Sequence, residues 1–174
     1  MNKLKVKDIT LIAMMVAVIE VCKIVLSSIP NVELTSFWII MFSLYFGKRI
    51  YLVIVVFILI EGLMFGINLW WIMYLYTWPL LAFVSMRFKD HHSVYTWVMI
   101  SGIFGLLFGL LCSFPYIVVG TVGYSLLNGL KTAFAWWVAG IPWDIVHGLS
   151  NMVIMFILYY PVIKVMNLSQ YRID

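Results

Sequence analysis

The chain of 174 residues is 65% hydrophobic and 10% charged, with a mean hydropathy of +1.08, whereas average soluble chains are about 45–50% apolar and about 25% charged. A water-soluble fold of this length cannot enclose so much apolar surface, so a soluble domain is excluded and lipid is the solvent. The net charge of +4 does not signal nucleic acid, because no basic run with interleaved aromatics lies outside the apolar stretches; the cations belong at membrane-facing helix ends.

At about 20 residues per crossing, the length accommodates about six transmembrane helices with short loops. The expected fold is an all-α, polytopic bundle forming one domain over residues 1–174. Its basic start, MNKLKVKDIT, resembles a signal-peptide n-region, but the following apolar run is long, carries Glu20 and Lys23, and lacks a small-residue cleavage site. It reads as a retained first helix. Span one covers 9–29 and stops at Pro30-Asn31; span two, 34–46, is short and ends at Gly47-Lys48-Arg49. Span three, 50–65, leads through Gly66-Ile67-Asn68 to span four, 70–86, which ends in Arg87-Phe88-Lys89-Asp90-His91-His92. Span five begins near Ser93 and weakens at Ser113-Phe114-Pro115, and residues 116–140 read as a Gly-rich, mixed connection. Span six starts at Pro142, a residue tolerated in a first helical turn, and continues to about 166.

With six spans, Lys3, Lys5, Lys7, Lys48, Arg49, Arg87, Lys89, Lys164 and Arg172 all fall on one side, leaving only Lys23 and Lys131 toward the other. The bias of basic residues toward the inside then puts both termini in the cytoplasm. Polar residues crowd the opposite half: Glu20 and Lys23 late in span one, Asn31 and Glu33 in the loop, Glu61 late in span three, and Asn68 before span four. Such groups are costly in a bilayer unless paired or facing a wet cavity, which points to a site opening outward.

Asp144, His147 and Asn151 recur at i, i+3 and i+7 and share one face of span six. They either line a ligand cavity or serve as a helix cap and interhelical glue. Glu20 and Lys23, one turn apart, form an ion pair, a ligand contact, or both. Glu61 has no helix-mate of opposite sign and pairs across helices, with Lys23 or Lys131 available. Trp71, Tyr74 and Trp78 follow helical spacing on span four, alongside Trp70, while Trp136, Trp137 and Trp143 approach span six. Ligand stacking and an interfacial aromatic belt both account for them. The cysteines, Cys22 and Cys112, sit in apolar stretches as packing groups. No HExxH motif and no GxSxG elbow occurs, so neither a catalytic residue nor a metal ligand is expected.

Three features together resemble the substrate-binding subunits, or S-components, of energy-coupling factor (ECF) vitamin transporters. They are the size with six spans and both termini inside, the Ala13-Met14-Met15-Val16-Ala17 stretch with its small residues four apart, and the run Ala139-Gly-Ile-Pro-Trp-Asp144-Ile-Val-His147-Gly-Leu-Ser-Asn151. The resemblance implies a prokaryotic plasma-membrane protein that binds a vitamin in a pocket open to the outside. It implies docking, through Ala13 and Ala17, on a transmembrane coupling subunit driven by two cytoplasmic ATPases. ATP is then used by those partners, in keeping with the lack of a Walker motif in this chain, and no covalent cofactor is implied. The candidate binding residues are Lys23, Asn31, Trp71, Tyr74, Trp78, Lys131, Trp137, Trp143, Asp144, His147 and Asn151. Aromatics on two helices and a long Gly-rich outer loop favour a large, mostly neutral, amphipathic ligand, so the expected vitamin is cobalamin or a cobinamide-like precursor. Pyridoxal-type vitamins, pantothenate and queuosine precursors are the alternatives, with a membrane enzyme or a structural or channel protein as readings from other classes.

Overall fold

The structure, a computed structural model, describes residues 5–168, with side chains described from 5 to 166. It is all-helical among the described residues: α1 (Val6–Leu26), α2 (Thr35–Phe46), α3 (Ile50–Phe65), α4 (Leu69–Arg87), α5 (Val94–Thr121) and α6 (Leu126–Leu168), with one 3-10 turn at Gly47–Arg49. By length and composition, α1, α4, α5 and α6 can each cross a membrane. At 12 and 16 residues, α2 and α3 reach about 18 and 24 Å, short of a hydrocarbon layer of roughly 30 Å.

The helix ends follow local chemistry. At the start of α1 the Asp8 side chain turns back on the chain, its Oδ2 accepting from the Lys5 amide at 3.0 Å. The tight link from α3 to α4 uses Gly66 in the left-handed region (φ +85°), a conformation that disfavours a side chain. Asn68 then caps α4, its side chain accepting from the Trp70 amide at 3.1 Å.

Short as it is, α2 is the centre of the molecule. Phe37, Ile39, Ile40, Met41 and Phe42 are all buried, and α2 touches each of the other five helices. Around it, Ile19 of α1, Phe57 of α3, Trp78 of α4 and Trp97 of α5 complete the core. Two ion pairs fix α1 parallel to α3: Asp8 meets Arg49 at 2.8 Å near their starts, and Lys23 meets Glu61 near their ends. At the Asp8–Arg49 end, Tyr45 donates to the carbonyl of Ile163 at 3.3 Å, bringing the late part of α6 to the same side. Lys48, Arg87 and Lys89 line one cavity there. Lys3 and Arg172, assigned to that side from the sequence, lie outside the described residues.

The stretch 116–140 corrects the expected connection. α5 continues through Pro115 to Thr121, and α6 begins at Leu126, so only 122–125 is a turn and Pro142 lies well inside a 43-residue helix. Two of the glycines that suggested a loop are packing surfaces: a Cβ on Gly120 would lie 3.0 Å from the Gly129 backbone, and one on Gly129 would run into the Thr121 side chain; farther along the same helix pair, one on Gly105 would lie 2.7 Å from the Gly148 backbone. Close backbone approach is how membrane helices associate without a hydrophobic driving force, and helices in lipid accommodate internal prolines.

Candidate ligand-binding site

At the end of the bundle opposite the start of α1, the last turn of α1 places Lys23 against α3. Phe57, Glu61 and Phe65 recur at i, i+4 and i+8 on α3, one face of that helix. Lys23 Nζ bonds Glu61 Oε2, and Glu61 is fully buried. Of the two partners open from the sequence, the structure therefore selects Lys23; Lys131 is exposed far along the chain. Four ring centroids surround the ammonium: Phe65 at 5.2 Å, Tyr74 at 5.3 Å, Trp70 at 5.6 Å and Phe57 at 5.9 Å. These distances lie within the roughly 6 Å over which a ring face attracts a cation. Beside the cage is a cavity of about 420 Å³ lined by Lys23, Ile24, Ser27, Glu61, Phe65, Trp70 and Tyr74.

Glu20 does not pair with Lys23 in a salt bridge. It is buried against Glu61, carboxyl to carboxyl, an arrangement that is satisfied when one of the two carries a proton and donates to the other.

A second cavity of about 240 Å³ adjoins the first through Lys23, Ser27 and Tyr74. The loop 27–34 roofs it, with Asn31 in the left-handed region at φ +58°, a conformation asparagine tolerates better than most residues. Ser150 Oγ donates to the Asn31 carbonyl at 3.2 Å, tying the loop to α6. Glu33 accepts from Ser36 Oγ at 2.9 Å and lies 3.1 Å from His147 Nε2. Burial works to raise the Glu33 carboxyl, but its bonds to His147, Thr35 and Ser36 prevail and hold it below its ordinary value. Phe108 contacts the His147 ring edge-on at 4.9 Å and closes the far wall.

The predicted binding residues thus separate into groups. Lys23, Asn31, Tyr74 and His147 line the two joined cavities. Trp78 is buried beneath them, its ring against Phe57, Tyr74, Phe104 and Phe108. Asp144 and Asn151 lie on the seam between α5 and α6: Asp144 Oδ1 accepts from the Gly109 amide at 2.9 Å, and Asn151 Nδ2 donates to the Ser101 carbonyl at 3.3 Å. Trp71 packs over Gly62 and donates to the Ile58 carbonyl at 2.8 Å, joining α4 to α3. Trp137 meets Phe134 on its own helix, and Trp143, at 53% exposure, and Lys131 face outward. None of these last four lines either cavity.

Glu33, Glu61, Phe65, Trp70 and Phe108 are the residues the candidate set lacked. The four-residue spacing of Phe57, Glu61 and Phe65, and of Trp70 and Tyr74, was the available signal. Ala13 and Ala17 are both exposed on α1. Among the described residues, no group of three or more His, Cys, Asp or Glu is placed to hold a metal ion. No family model matches the chain, and comparison with curated proteins and with solved structures found no match.

Proposed function

We propose that this protein is a membrane-embedded solute-binding subunit of the ECF S-component type, capturing a vitamin-like micronutrient for partner-driven uptake. The observation that carries the reading is the pair of joined cavities at one end of the bundle, where charged and aromatic side chains from α1, α3, α4 and α6 meet under the α1–α2 loop. Polar groups placed this deep among apolar helices are costly without a function or a partner, and a site with few polar groups on an aromatic wall is typical of small-molecule recognition.

In this reading α2 and α3 complete the membrane layer as short spans, giving about six in all, with both termini in the cytoplasm and the cavities opening outward. The basic residues gathered at the Asp8–Arg49 end support that orientation. The exposed Ala13 and Ala17 on α1 form the docking surface for a coupling subunit. Two cytoplasmic ATPases supply the energy.

A cavity of about 420 Å³ falls toward the small end of the roughly 300–1,000 Å³ range of ligand sites. A corrinoid with its nucleotide loop is larger than that, so a vitamin of pyridoxal or similar size is the better match to this state, and cobalamin is the larger alternative. The test is reconstitution in liposomes. The chain alone should neither conduct ions nor turn over substrate, and uptake should require both a coupling subunit and ATP. Ion conduction by the chain alone would favour a channel, and product formation without ATPase partners would favour an enzyme.

A further inference from the structure

The Asp8–Arg49 end of the bundle holds a separate cavity of about 540 Å³, within the roughly 300–1,000 Å³ range of small-ligand sites. Three cations line it. Lys48 comes from the 3-10 turn that leads into α3, Arg87 from the last turn of α4, and Lys89 from just beyond that turn. Like charges delivered to one space repel unless an anion joins them. Among the described residues, the ion pairs are Lys23–Glu61, Arg49–Asp8 and His147–Glu33, so none of the three cations is in a pair. Asp8, the acid fixed at this end, is already engaged by Arg49 and by the Lys5 amide. Asp90 is exposed and does not line the cavity.

The remaining wall is apolar and aromatic, from Tyr51, Phe83 and Met86. Phe83 lies one turn before Arg87 on α4 and is 59% exposed. On α3, Val55 and Leu59 follow Tyr51 by one and two turns and are also exposed. The cationic mouth therefore continues into a strip of bare apolar side chains. Because α4 is long and apolar enough to cross a membrane, its last turn lies at the level of the lipid headgroups and the strip lies against hydrocarbon. A water-soluble anion would use the cations alone, whereas a lipid uses the cations and the strip together. Basic pockets between transmembrane helices are a known mode of headgroup recognition.

We infer that this cavity binds the phosphate headgroup of an anionic membrane phospholipid. Lys48, Arg87 and Lys89 neutralise the headgroup, and an acyl chain runs along Phe83 and the Tyr51–Val55–Leu59 face. The site lies at the other end of the bundle from the joined cavities and does not depend on what they hold.

The test is native mass spectrometry of the full chain in detergent micelles carrying dioleoyl phosphatidylglycerol or dioleoyl phosphatidylcholine, whose tails are identical. The wild type should retain one phosphatidylglycerol per chain, about tenfold more tightly than phosphatidylcholine. The double substitution Lys48→Gln with Lys89→Gln should lower phosphatidylglycerol retention about tenfold or more, leave phosphatidylcholine unchanged and keep the thermal midpoint, since both side chains are exposed. Lys131→Gln, which removes an exposed cation near the start of α6, should change nothing. Equal retention of the two lipids, an unaltered double variant, or the same loss in Lys131→Gln would each overturn the inference. Glycerol 1-phosphate separates the two sources of phosphate: displacement of the lipid by an equal concentration of it would make this a soluble-anion site and would equally overturn the assignment to lipid.

Discussion

The Lys23–Glu61 pair carries the greatest energetic weight of any single contact at the site. Glu61 is completely buried, while the Lys23 side chain keeps 26% of its surface exposed. Removing one partner of a buried pair strands the other and costs about 3–5 kcal/mol, whereas replacing both by apolar groups is often neutral. Lys23→Met should therefore lower the thermal midpoint sharply in detergent, and the double substitution Lys23→Met with Glu61→Leu should recover most of it. A double variant as unstable as the single one would show that the pair does not stand alone. The Glu33–His147 contact is the second lever. Because the folded Glu33 carboxyl is held below its ordinary value of 4.5, its contribution is present above that value and lost as pH falls through and below it. Thermal stability of the wild type should drop in that acidic window, and Glu33→Gln should flatten the drop. An identical acid profile in both proteins would contradict the role given to Glu33. From the sequence, the polar residues of this end were legible because charges amid apolar runs stand out. Which of them face one another was not, since Asp144 and Asn151 share a helical stripe with His147 yet are spent on the α5 backbone at Gly109 and Ser101.

At the scale of elements, the α5–α6 hairpin is the most extensive contact in the molecule. It depends on small residues at the crossing. A Cβ at Gly105 would meet the Gly148 backbone at 2.7 Å, and backbone cannot swing away as a side chain can. Gly105→Ala should destabilise by about 1–3 kcal/mol through overpacking. Gly140→Ala, with nothing within 4 Å of the added carbon, should be neutral or stabilise by about 0.5–1 kcal/mol from helix propensity alone. Comparing the two midpoints checks this, and equal effects would refute the packing role. The same glycines explain where the sequence was misleading. Gly120, Gly129 and Gly140 together with Pro115 look like loop punctuation, yet only Gly123, at φ +75°, sits in a turn. The limits of α3, by contrast, were legible to the residue, because Lys48-Arg49 and Gly66 interrupt an unbroken apolar run. The weak point for α2 is length: a 12-residue apolar segment reads as a span, and its burial on nearly every side is set by tertiary packing that periodicity cannot reveal.

For the molecule as a whole, the proposed division of labour places ligand capture at one end and partner docking along α1. Ala17 is exposed in this fold, so Ala17→Leu should leave thermal stability and ligand binding unchanged while reducing uptake by the assembled transporter. Parallel loss of binding and uptake would assign Ala17 to the fold instead. The central claim, that the joined cavities around Lys23, Glu61, Tyr74 and His147 hold a small molecule, is tested most directly by native mass spectrometry of gently extracted protein. The account predicts a discrete small-molecule adduct on the wild type that is missing from the folded Lys23→Met, Glu61→Leu double variant. A wild type that carries no adduct after exposure to a vitamin mixture, or an adduct that persists in the double variant, would contradict it.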